Sequence, residues 1–208
     1  MKNRMTILAV VAAVLSTSAP AARASSMLSL GLGQGTADVY TPTGTYLAPA
    51  SSPETNVNVE YWHAYSNDYA IAVSGAYGMG RMEWKSGAGD PDIKATTSSY
   101  KFRIGGDRMA RVGDRLTVFL GPGIEYWNGS SKLDVGGTED ESESVQRLGV
   151  SGRMGGFITL TPSLSIMGQV GHTFGYASVE DSGAKTTWWP SSFEASWGLT
   201  FNIGGTAQ

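Results

Sequence analysis

His63 and His172 are the only histidines among 208 residues, and the chain has no cysteine. Thiolate catalysis, disulfides and thiolate metal sites are therefore excluded. A histidine that activates a nucleophile needs one within hydrogen-bond reach. His172 is followed by Thr173, Phe174 and Gly175, without the nearby serine that an esterase would use. Thr138 to Ser144, "TEDESES", packs four acids into five residues and reads as a solvated loop rather than a cation site. Gly31 to Gly35, "GLGQG", ends an alternating run and opens no helix, so it is not a phosphate loop. "WWP" at 188–190 reads as an interfacial anchor rather than a recognition patch, and "NGS" at 128–130 matches a glycosylation acceptor without further support. No catalytic, cofactor-binding or metal site is expected.

The charges that demand an explanation lie elsewhere. In Ser98 to Gly106, "SSYKFRIGG", Tyr100, Phe102 and Ile104 alternate with Lys101 and Arg103. Strand side chains alternate between faces, so one face of this strand is apolar and the other carries two cations. Glu60, Glu125, Arg147, Arg153 and Glu194 occupy the polar parity of other alternating runs. Both signs are present, which permits a mutually neutralising network on the polar face, whereas unpaired buried charges would be costly.

Eight such runs position these residues. They begin near Leu28, Val57, Tyr69, Tyr100, Leu116, Leu148, Leu164 and Phe193. Period-two alternation is the signature of strands with one buried face, and 28 glycines work against long helices. No apolar run after the first residues approaches the ~20 residues of a membrane helix. Short connections (66–68, 108–115, 160–163) alternate with long polar ones (34–55, 85–97, 128–143, 177–190). In an up-and-down arrangement this sorts short turns to one end and long loops to the other, the asymmetry of transmembrane barrels. Small residues on the polar face, such as Ala70, Ala72, Ser74 and Ala76, suit the narrow interior of eight strands. The polar face is therefore expected inside, with Glu60, Lys101, Arg103, Glu125, Arg147, Arg153 and Glu194 as a lumen charge network. Trp84, Trp127, Trp188 and Trp189 fall at strand–loop junctions and are expected in an aromatic girdle at the long-loop end.

The first 24 residues are set apart from the fold. Lys2 and Arg4 precede a short apolar core, Ile7 to Leu15, and Ala22-Arg23-Ala24 fits a cleavage site, so 1–24 is expected to be a signal peptide and 25–208 a single barrel domain. Without 1–24 the chain carries 12 basic and 18 acidic residues, net −6, which argues against nucleic acid.

The last run, Ser196 to Ile203, resembles the terminal-strand assembly signal of bacterial outer-membrane proteins: Ser196, Gly198, Phe201 and Ile203 take the polar, glycine and two hydrophobic places. It departs in ending on isoleucine rather than an aromatic, and in continuing through "GGTAQ". Together with the leader and the eight runs, the chain resembles the small outer-membrane β-barrel domain family, the OmpX-like and opacity-protein-like group. The resemblance implies an eight-stranded antiparallel up-and-down transmembrane β-barrel, a monomer in the cell outer membrane of a Gram-negative host, inserted by the outer-membrane assembly machinery and surrounded by lipid and lipopolysaccharide. It implies no common catalytic residues, no cofactor, and a structural or surface-interaction role through four external loops. The alternatives are a lipid-modifying enzyme at the barrel rim, a narrow pore, and a soluble lipocalin-like carrier with an apolar lumen.

Overall fold

The computed structural model describes residues 25–43, 46–66, 68–84, 93–135, 137–141, 144–181 and 184–204. The leader expected at 1–24 lies outside the described residues. Ten strands follow in order: β1 Ser25–Thr43, β2 Tyr46–Ala64, β3 Tyr69–Trp84, β4 Ile93–Val112, β5 Leu116–Val135, β6 Thr138–Glu141, β7 Val145–Thr161, β8 Leu164–Asp181, β9 Ala184–Trp188 and β10 Ser191–Gly204. β6 and β7 both pair with β5, and β9 and β10 both pair with β8. Each couple is one barrel strand interrupted near the long-loop end, so ten segments make eight staves. β10 then pairs antiparallel with β1, from Ser26–Gly204 to Gly35–Glu194, and closes the cylinder. The result is an all-β, antiparallel, up-and-down eight-stranded barrel. Closure leaves the eight staves with no free edge in the wall, which is the condition for a sheet to sit in lipid.

Alternation sets the two surfaces. On β4, Tyr100 and Ile104 are exposed outside while Lys101 and Arg103 are buried inside. On β7 the outward residues from Leu148 through Val150 and Met154 to Ile158 stand exposed and apolar. Ten residue steps cover ~33 Å along the strand, or ~25 Å along the axis at a ~40° tilt, the height of a lipid-facing band. Above it the outward positions turn polar, with Lys94, Thr96, Ser130, Lys132 and Gln146 all exposed.

The segments expected as long loops are mostly strand. β1 runs to Thr43 and β2 starts at Tyr46, within 34–55, and β5 runs to Val135 before turning into β6, within 128–143. The barrel staves continue beyond the apolar band as hydrophilic hairpins. Their Thr- and Ser-rich sequences carry few apolar residues, so hydrophobic alternation is too weak there to reveal them, although hairpin pairing continues. The opposite end is as compact as expected. Its turns are stitched to the next stave by Met109 N donating to Asp68 O (2.6 Å) and Thr159 N donating to Arg115 O (2.8 Å). Gly113 adopts φ +70° in the β4–β5 turn, a conformation that glycine reaches without strain.

Candidate functional site: the barrel lumen

The interior is layered. At the short-turn end Trp62 (β2), Ala70 and Ala72 (β3), Met109 (β4), Phe119 (β5), Phe157 (β7) and Met167 (β8) form one buried apolar cluster, with Met27 of β1 packed against it. The three rings meet at 4.7 Å (Trp62–Phe119), 5.1 Å (Trp62–Phe157) and 5.1 Å (Phe119–Phe157), the first two edge-to-face. Seven of the eight staves contribute, so the cluster spans the lumen as a plug. Alanine at 72, directly opposite Trp62 in the β2–β3 register, leaves the space that the indole fills. Sequence reasoning assigned Phe119 and Phe157 no inward role. Each falls on the inward parity of its strand, which was the available signal.

Above the plug lies the ionic layer. Arg153 of β7 is its centre. Its Nη2 and Nε donate to Asp107 Oδ2 (2.7 Å) and Oδ1 (3.1 Å), a two-pronged contact, and its Nη1 pairs with Glu60 on β2 across the lumen. The same Nη1 donates to Gln169 Oε1 (3.1 Å), and the guanidinium sits 4.3 Å from the Trp62 ring centre. Planar guanidinium recognises a carboxylate through two parallel bonds and also stacks on aromatic faces, so arginine suits this position where lysine would not. Lys101 Nζ donates to Glu194 Oε2 (2.9 Å), and Asn56 Nδ2 to Glu194 Oε1 (3.2 Å). Arg147 Nη2 donates to Glu125 Oε1 (3.0 Å). Arg103 differs: Nε donates to Ser151 Oγ (3.0 Å) and Nη2 to the Gly121 carbonyl (3.4 Å). All seven residues of the expected network thus face inward, and six of them form ion pairs.

Two acids join the layer that sequence reasoning missed. Asp107 falls between the run that ends at Gly106 and the connection 108–115, yet it holds the inward parity of Lys101 and Arg103 and is 1% exposed. Glu54 was assigned to a loop, yet it continues the parity of Asn56, Asn58 and Glu60, and its carboxylate accepts a hydrogen bond from Ser99 Oγ. A polar cavity of about 60 Å³ remains among Lys101, Arg103, Glu125, Arg153 and Glu194, room for a few waters.

The aromatic girdle needs correction. Trp127 is 1% exposed and packs inside with Val145, Ala177 and Val179, and half-buried Trp188 packs against that cluster. Trp127 lies two residues from Glu125 and so shares its inward parity, and Gly129 leaves room for the indole. Arg147 lies over the ring at 5.6 Å. Position near a strand end did not decide the direction; parity did. Trp189 is exposed, stacks on Phe174 (5.8 Å) and meets Tyr176 edge-on (5.5 Å). The Trp84 side chain lies outside the described residues. At the other end Tyr65 stacks on Tyr69 at 6.3 Å, both exposed.

On β10, Ser196 and Gly198 face inward and Phe201 and Ile203 outward. Gly198 lies opposite Gly31 across the closing seam, where any added Cβ would collide with the Leu30 carbonyl oxygen. His63 and His172 lie towards opposite ends. His172 faces outward, with Gly152 and Phe193 as its cross-strand neighbours, so neither adjacent strand sets a nucleophile beside it.

No family model matches the chain, and no curated protein matches it. Solved structures do. The attachment invasion locus protein Ail of Yersinia pestis matches at 15% identity with a TM-score of 0.50, covering 87% of this chain and 99% of that one. The outer membrane protein OprG of Pseudomonas aeruginosa matches at 13% identity with a TM-score of 0.52, covering 88% and 97%. At these identities the likeness establishes the fold: this chain is built as the small transmembrane barrels of bacterial outer membranes are built.

Proposed function

We propose that the chain is a non-enzymatic outer-membrane protein, a plugged monomeric barrel that carries four hydrophilic hairpins on the long-loop side for structural or surface-interaction roles. The observation that carries this reading is the lumen. Among the described residues, an aromatic plug drawn from seven staves and an ion-paired layer above it occupy the lumen, which speaks against a pore. The charged interior also speaks against an apolar-ligand carrier. Rim lipid chemistry lacks support, because His172 has a glycine and a phenylalanine beside it. The apolar band supports lipid as the surrounding medium, with lipopolysaccharide as the partner at the hairpin end and the outer-membrane assembly machinery acting on the terminal strand.

Expression followed by membrane fractionation tests the reading. The folded chain should travel with the outer membrane and run faster on a gel before heating than after. Purified barrel in planar bilayers should show no steady conductance, and lipid A mass should not change on expression. Protease added to intact cells should cut within 128–143 or 177–190 before any short turn. A stable open channel, or a chain in the aqueous fraction without detergent, would overturn it.

A further inference from the structure

We propose that the outer wall at the short-turn end holds a phospholipid by its phosphate, with Arg108 as the headgroup contact and the open surface over Gly106 as the seat of an acyl chain. The site rests on the membrane-spanning reading above. Arg108 lies on the outward face of β4, in one row with Tyr69 of β3 and Leu120 of β5, and all three are exposed. Leu120 belongs to the apolar band and Tyr69 to the stacked tyrosine pair at its short-turn edge, so the long Arg108 side chain can reach the headgroups from the edge of the band. Arg108 has no hydrogen bond or ion pair among the described residues. Its sequence neighbour Asp107 does not neutralise it, because that carboxylate points inward and is bound by Arg153.

The wall beside Arg108 is notched. Gly106, two residues towards the middle of the band, faces outward and is exposed, and a Cβ there would meet nothing within 4 Å. Ile71 lies across from it on β3, Ile104 precedes it on the same face, and Pro122 occupies the corresponding place on β5. Proline has no N–H to donate, and the β4–β5 pairing skips from Gly105–Gly123 to Arg108–Leu120 at this point. The surface is therefore a glycine-floored hollow between apolar side chains, ending at an unpaired guanidinium. A phospholipid has the matching order of groups: an acyl chain, then a phosphate that arginine binds through paired N–H donors.

The barrel should be refolded into vesicles of equal phosphatidylglycerol and phosphatidylcholine, checked for heat-modifiable mobility, released in mild detergent and weighed by native mass spectrometry. The wild type should retain one phosphatidylglycerol, favoured about fivefold, the preference one interfacial cation confers on an anionic lipid. Arg108→Gln should remove the preference. Gly106→Leu should lower retention of both lipids. Arg111→Gln, whose guanidinium donates to the Asp114 carbonyl at 3.4 Å, should change neither. Unchanged retention in folded Arg108→Gln, or no bound lipid on folded wild type, would overturn the site alone. A wild-type chain that never inserts would overturn the membrane reading and the site with it.

Discussion

Arg153 and Arg103 lie in the same lumen and face it alike, but they differ in what their loss would leave behind. Removing Arg153 strands two carboxylates, Glu60 and Asp107, each about 1% exposed. An uncompensated buried charge costs ~3–5 kcal/mol, so Arg153→Met should lower unfolding stability in urea by about that much. Neutralising the group together (Arg153→Met, Glu60→Gln, Asp107→Asn) should recover most of the loss, because apolar or neutral replacement of a whole buried ion group is often tolerated. Arg103→Met removes bonds to a hydroxyl and a carbonyl instead, so it should cost less, ~1–3 kcal/mol. Equal losses in the two single variants would show that Arg103 takes a carboxylate partner in the membrane. The inward direction was legible for Arg103 in the parity of "YKFRI" and for Arg153 in its alternation with Leu148, Val150 and Met154. The choice of partner was not, because Arg153 meets Glu60 from a stave on the far side of the lumen.

At the scale of the strand, parity is the property under test. Phe102 and Arg103 are adjacent, and only Phe102 faces outward. A fluorophore on a cysteine at 102 should be quenched by lipid-soluble quenchers, and one at 103 should not. The reverse pattern would put the charged face in lipid. The closing seam makes a second demand. β10 approaches β1 so closely at Gly198 and Gly31 that Gly198→Val should reduce the yield of heat-modifiable barrel without changing synthesis, whereas Ala195→Val, outward on the same strand, should be mild. Phe201→Asp should lower yield as well, through a charge on the lipid face whose cost depends on depth. The hairpins show where strand reading from sequence stops. Alternation of oil and water weakens once the outward face leaves the apolar band, yet backbone pairing continues to Thr43 on β1 and Val135 on β5.

For the whole molecule the plug is the decisive feature. Trp62 carries it, touching both phenylalanines and lying under Arg153. Replacing Trp62, Phe119 and Phe157 with alanine should turn a silent barrel into one that leaks small ions in planar bilayers, while Trp189→Ala, outside the wall, should not. A leak in the wild type would move the seal elsewhere. The sequence by itself determined the number of staves, the face each one turns inward, and the inward charges from Glu60 to Glu194. Those properties are local, since alternation along one strand decides which side chains share a face. Only the tertiary structure decided which charges meet across the lumen, and that Trp62, Phe119 and Phe157 come together to close the short-turn end. Those depend on stagger: the hydrogen-bonded rows wind around the cylinder, so the neighbours across the lumen follow from how far the sheet has sheared on returning to β1.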